Sequence, residues 1–194
     1  MATSKPFDPN QAQNLMEIEK QFAVKAVEQA QQTYWNLLEK VQPKDLRLTK
    51  RVSPPLLRSP SSHTPHRLDD EIFSHTLQTF PELAEDGYAK LAKLDEESIK
   101  SAQGKERWRV FIESYRKKIK DYNFGSLIRT DASQEYGENN TIFVTRIQFY
   151  AIEIARNRLG LNDAAHELAK AEALKEAQKK EKEAAAAAKK AKKE

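Results

Sequence analysis

Between Asn10 and Val41 the chain has neither glycine nor proline. Ala23, Ala26, Val27, Ala30, Tyr34, Leu37, Leu38 and Val41 recur there at the spacing of one helix face. The pattern predicts one long amphipathic helix, capped at Asp8 with Pro9 in its first turn and ended by Pro43. Leu68, Ile72, Phe73, Leu77 and Phe80 predict a shorter helix stopped at Pro81; Leu83, Tyr88, Leu91 and Leu94 predict a weaker one broken near Gly87. Ser101 is the cap of a further helix, whose stripe of Trp108, Ile112, Tyr115, Ile119 and Tyr122 faces a core. The period is lost over residues 123–130, which pair with 141–144 across the turn-rich DASQEYGENN in one small β-hairpin. Phe143, Ile147, Tyr150, Ala151 and Ile154 mark the last core helix, which stops at Gly160.

These elements predict a mainly α protein, a single compact helical domain over residues 10–160 with that hairpin, preceded by a flexible segment at 1–9. Residues 51–67 interrupt it as a Pro/Ser-rich loop, because four prolines remove main-chain donors and fix φ. Without that loop LRLTK would run directly into LDDEIF. Residues 161–194 read as an Ala/Lys/Glu-rich tail, helical through pairs such as Glu176 with Lys180 but with nothing to pack against.

Composition changes this picture in two places. The net charge of +4 and pI of about 9.1 suggest a nucleic-acid partner until the charges are located. Arg51, Arg58 and Arg67 lie in the loop without an acid, and the tail holds nine lysines against seven acids. The remaining core is close to neutral. The absence of cysteine excludes disulfides and thiolate metal sites. With a beginning that lacks a secretory apolar run, it gives the expectation of a cytoplasmic protein without a membrane segment.

Enzyme chemistry finds little support. Gly87, Gly104, Gly125, Gly137 and Gly160 are too dispersed for a dinucleotide loop or a P-loop. Of the four histidines, His63 and His66 lie in the loop and His166 in the tail, so a metal site of His63 and His66 with His75 lacks a rigid frame, and the loop pair reads as solvent-exposed histidines. Asp69, Asp70 and Glu71 open a helix, where they complement its dipole. No serine stands in a nucleophile elbow. The expectation is a non-enzyme with no cofactor, no metal and no small-molecule substrate.

Three blocks carry a resemblance: KERWRVFIESYRKKIKDYNFGSLIR from Lys105, NTIFVTRIQFYAIEIARNRLG from Asn140, and LTK resuming at LDDEIF. Together they resemble the eukaryotic polysaccharide biosynthesis domain-containing protein family, over roughly Ala23 to Gly160 without the proline loop. The family name suggests glycan synthesis, yet the chain has neither a nucleotide-sugar loop nor an Asp-x-Asp metal site. What the resemblance implies is a dedicated chaperone that binds the GTPase domain of newly made translation elongation factor one-alpha.

Such a protein needs an aromatic and apolar patch rimmed by charge. Tyr122, Asn123 and Phe124 beside Arg129, Arg146, Glu153, Arg156, Asn157 and Arg158 are the expected partner-binding residues, with the arginines gripping carboxylates through forked hydrogen bonds. The competing role for these arginines is to pair on the protein's own surface, as Arg146 with Glu153 or Arg129 with Asp131. Trp108, Phe143 and Ile147 are expected to be plain core. An alternative function is that of a ribosome- or nucleic-acid-associated adaptor acting through the Lys-rich tail. A transferase, suggested by the family name alone, ranks third.

Overall fold

The structure, a computed structural model, describes residues 31–49 and 68–191. Most of the predicted first helix, all of the proline-rich loop and the last three residues lie outside the described residues.

A π-helical turn, Gln31–Trp35, runs into α1, Asn36–Lys40, and Pro43 opens a short 3-10 turn. After the loop come α2 (Leu68–Thr79), two 3-10 turns on either side of Glu85, and α3 (Ala89–Ala92). The break foreseen near Gly87 is a run of positive φ at Asp86, Gly87 and Tyr88. Next are α4 (Glu96–Lys100) and α5 (Ala102–Ser114), with Ser101 Oγ accepting the Gly104 N–H as a cap. The antiparallel pair β1 (Gly125–Arg129) and β2 (Thr141–Thr145) leads into α6 (Arg146–Arg158) and α7 (Asp163–Ala191). The protein is mainly helical with one small hairpin, as its sequence pattern predicts.

The helix expected to continue through Tyr122 stops at Ser114. The chain beyond Ser114 serves α6 instead: Arg146 N–H donates to Phe124 C=O (2.7 Å) and Ile147 N–H to Tyr122 C=O (3.0 Å). The irregular segment thereby accepts from the first N–H groups of α6, which would otherwise lack partners. Gln148 Oε1 completes that end by accepting from Thr145 N–H and Oγ–H, both at 2.9 Å. Thr145 and Gln148 have the spacing of a capping box, a signal the sequence carries.

Two apolar clusters lie on either side of the hairpin. The larger joins α2, α5 and α6 through Ile72, Phe80, Trp108, Phe111, Ile128, Ile142 and Ile147, with Phe80 stacked on Trp108 at 4.1 Å. The smaller gathers Tyr34, Trp35, Leu38, Leu46, Tyr136, Ala165 and Ala169. Helix α7 therefore packs at its start. His166 Nδ1 bonds Leu38 C=O, Trp35 Nε1 donates to Glu172 (3.1 Å), and Ala165 and Ala169 are buried. This corrects the expectation of a tail with nothing to pack against: at 1.5 Å per residue α7 is roughly 43 Å long, and its first turns belong to the core.

The acidic triplet at the start of α2 also has specific work. Asp69 is buried and accepts the Leu48 and Thr49 N–H groups at 3.1 Å; Asp70 pairs with Arg158 and Glu71 with Lys118. Gly160, at φ +73°, ends α6 while Leu161 N–H closes on Arg156 C=O at 2.9 Å. Gly160→Ala is expected to cost about 1 kcal/mol, lowering the thermal midpoint by roughly 2–4 °C in a circular-dichroism melt.

Candidate functional site

The nine residues expected to bind a partner divide into two groups. Arg129, Glu153 and Arg156 are each 0% exposed, and Asn157 is buried beside them. Their partners explain the burial. Glu153 sits between the two guanidinium groups, 3.3 Å from Arg129 Nη2 and 2.9 Å from Arg156 Nη1. Arg156 donates its other hydrogens to the carbonyls of Leu91, Arg129 and Thr130 at 2.8–3.0 Å, which ties α3 and the end of β1 to α6. Arg129 donates to the carbonyls of Ala132 and Gln134 and to Asn162 Oδ1, under the rings of Tyr34, Trp35 and Tyr136 at 5.5–6.0 Å. Asn162 also donates to Glu153 and Asn157, and Tyr34 donates to Asn157.

This cluster is a structural core. The expectation that Arg129 and Arg156 grip a partner's carboxylates is corrected: their donors are directed inward, and a buried charge must find its partners within the fold. Burial works to raise the Glu153 pKa, but Arg129, Arg156 and the hydrogen bonds from Asn162 and Arg156 outweigh it and hold the carboxyl below its ordinary value. Burial, with the Glu153 charge, pushes the Tyr34 phenol well up and keeps it a neutral donor. The surface pairings expected as the alternative differ too, since Arg129 pairs with Glu153 and not Asp131.

The second group is at the surface. Phe124 is 62% exposed, and Arg146 lies over its ring at 5.2 Å, with Asp121 at 3.6 Å. Asn123 is exposed, and half-buried Tyr122 donates to Glu113. Arg158 is committed to the fold by its pair with Asp70 and its stacking on Phe73 at 5.0 Å. Phe143, assigned to the core from a helical period, lies in β2 and is 65% exposed. Strand alternation is the signal that places it: Ile142 and Val144 point to the larger cluster, so Phe143 points the other way.

Phe143 covers Gly125 so closely that a Cβ there would come within 2.1 Å of the ring. Together Phe124 and Phe143 border a groove of about 880 Å³ between the hairpin, the Gln31–Trp35 turn with α1, and the first turns of α6. Tyr34, Leu127, Tyr136 and Phe149 form its less exposed part, while Leu37, Phe124 and Phe143 stand exposed along it. Arg47 and Arg146 are its charged residues, and no carboxylate lines it among the described residues.

The same blocks that build the hairpin, α6 and the start of α7 are matched by a family model described as PBDC1 protein, over residues 56–167. The chain belongs to the PBDC1 family. The match runs past Gly160 to residue 167, which takes in Asn162 and Ala165 at the start of α7. A Saccharomyces cerevisiae relative, Protein PBDC1 homolog, is 50% identical over 157 residues, covering 81% of this chain and 94% of its own. The Schizosaccharomyces pombe homolog is 48% identical, covering 82% and 95%, and Protein PBDC1 of Mus musculus is 40% identical, covering 80% and 67%. A solution NMR structure of a Saccharomyces cerevisiae protein aligns with a TM-score of 0.59 at 49% identity, over 82% of this chain and 96% of that one.

Among the described residues no group of three His, Cys, Asp or Glu side chains is placed to hold a metal ion, and no helix is long and apolar enough to cross a membrane. His75 stacks on Phe111 at 4.6 Å and bonds Tyr115 Oη at 3.0 Å, and His166 is buried, while His63 and His66 lie outside the described residues.

Proposed function

We propose that this PBDC1-family protein is a non-enzymatic chaperone that holds the GTPase domain of newly made translation elongation factor one-alpha until that domain has buried its own apolar surface. The observation that supports the reading is the pair of exposed rings, Phe124 and Phe143, beside the groove. Large aromatic side chains gathered at a concave surface mark a place where another chain is covered. A client segment would leave the groove once folding supplies it with intramolecular partners, so release needs no chemistry from the chaperone.

The test is capture from a lysate of translating cells by the tagged full-length chain. Elongation factor one-alpha is expected in the eluate, and at least about tenfold less of it with Phe124→Ser/Phe143→Ser. The variant's melting temperature should stay close to the parent's, because exposed positions contribute little to stability. Undiminished capture by that variant would place the client elsewhere on the molecule.

A second reading has one observation in its favour. Beyond Ala169 the described side chains of α7 are half-buried or exposed and rich in lysine, including Lys175, Lys179, Lys180 and Lys182. Such a basic helix suits a ribosome- or nucleic-acid-bound adaptor. Recovery of ribosomal RNA alone, lost when these lysines become glutamine, would favour the adaptor over the chaperone.

A further inference from the structure

We propose that the groove takes a short extended segment of a partner chain, with a bulky apolar side chain set among Tyr34, Leu127 and Phe149 and flanking carboxylates on Arg47 and Arg146. The inference rests on the groove used in the chaperone reading but not on the identity of the client.

Its charge selects the partner. Two guanidinium groups and no carboxylate line the groove among the described residues. The hydrogen bonds of Arg47 run to the carbonyls of Lys44 and Leu46, at 3.3 and 3.1 Å, and no acidic side chain among the described residues pairs with it. Arg146 is ion-paired with Asp121, its Nη1 at 3.6 Å, a contact that leaves its N–H groups without a close hydrogen-bond acceptor. Both therefore keep donors for an incoming carboxylate, and an arginine fork matches that group in shape as well as charge.

Its backbone selects an extended chain. Arg146 N–H to Phe124 C=O and Thr130 N–H to Asn140 C=O fix which opposed residues of the hairpin share hydrogen bonds. Counting inward from both ends, Gly125 with Thr145 and Leu127 with Phe143 are non-hydrogen-bonded pairs. Gly125 and Leu127, both lining the groove, thus turn their N–H and C=O groups away from β2. Outside the hairpin neither makes a main-chain bond among the described residues. An extended segment can bond to that edge while alternate side chains enter the apolar part, the usual division between affinity and specificity in strand addition. The aromatic walls give bulky apolar residues the advantage over small ones.

The experiment is fluorescence polarisation with full-length protein and three fluorescein-labelled hexapeptides. These are Glu-Asp-Phe-Leu-Asp-Glu, its Lys-flanked counterpart Lys-Lys-Phe-Leu-Lys-Lys, and Glu-Asp-Ser-Ser-Asp-Glu. The first is expected to bind at least about tenfold more tightly than either of the others. Arg47→Glu/Arg146→Glu should reverse the preference toward the Lys-flanked peptide, a gain that a folding defect cannot imitate. Equal binding of all three peptides, or no change of preference in the charge-reversed variant, overturns the proposal. If the acidic peptide binds as expected while elongation factor one-alpha is not captured, the peptide site stands and the chaperone reading fails. If capture succeeds and the acidic peptide does not bind, the peptide site fails alone.

Discussion

Glu153→Gln is expected to destabilise the protein by roughly 3–5 kcal/mol, the range for breaking a buried ion pair by removing one partner. The substitution keeps the size of the side chain and removes the carboxylate that, among the described residues, pairs with both Arg129 and Arg156, where all three side chains are fully buried. It also sets an amide donor against guanidinium donors. The cost falls on architecture, because Arg156 joins Leu91, Arg129 and Thr130 through their carbonyls. Urea unfolding at pH 7 would show a clearly lower midpoint. An unchanged midpoint would mean that other groups neutralise the arginines.

The pH dependence of that stability has a definite sign. The Glu153 carboxyl is held below its ordinary value of 4.5 in the folded protein, so unfolding takes up a proton in acid. Its contribution is complete above the unfolded value and declines as the pH falls through the lower, folded one. The parent's advantage over Glu153→Gln should therefore be full at pH 7 and shrink in acid below about pH 4.5.

Cutting the chain after Gly160 is expected to have the second large effect. It removes Asn162, which donates to Glu153 and accepts from Arg129, and leaves those buried groups short of partners at about 1–3 kcal/mol each. It also removes Ala165, His166 and Ala169 from the face formed by Tyr34, Trp35 and Leu38. Uncovering a large apolar side chain costs roughly 1.5–3 kcal/mol. A total of several kcal/mol is a large share of the about 5–15 kcal/mol by which a domain is stable. The thermal midpoint should fall by at least about 10 °C, with Trp35 emission shifted to the red. A cut after Glu176, beyond the last half-buried side chains of α7, should leave the midpoint within about 2 °C of the parent. Equal melting of the two truncated chains would show that the buried network does not depend on α7.

These two effects mark where the reading of the sequence ended. Apolar periodicity decided α2, the core face of α5 at Trp108 and the core face of α6 from Ile147, and Gly87 marked the break before α3, because each depends on neighbours within a turn or two. Turn-rich residues between two β-prone runs decided the hairpin in the same local way. The family was legible in the blocks around Lys105 and Asn140.

The candidate site was legible only in part. Phe124 and Arg146 are where a partner could meet them, whereas Arg129, Glu153, Arg156 and Asn157 looked like surface chemistry because charged residues usually are. Their burial depends on Asn162, Tyr34 and the carbonyls of Leu91, Ala132 and Gln134, which come from distant parts of the chain. No short-range period carries that information. The same holds for α7, whose alanines pattern weakly but fit against Trp35 and Leu38 once the two helices meet. The sequence by itself determined α2, the core faces of α5 and α6, the hairpin and the family, since those follow from local spacing and shared blocks. Only the tertiary structure decided which charges are core and which rings stay open, since burial is a property of what distant segments bring together.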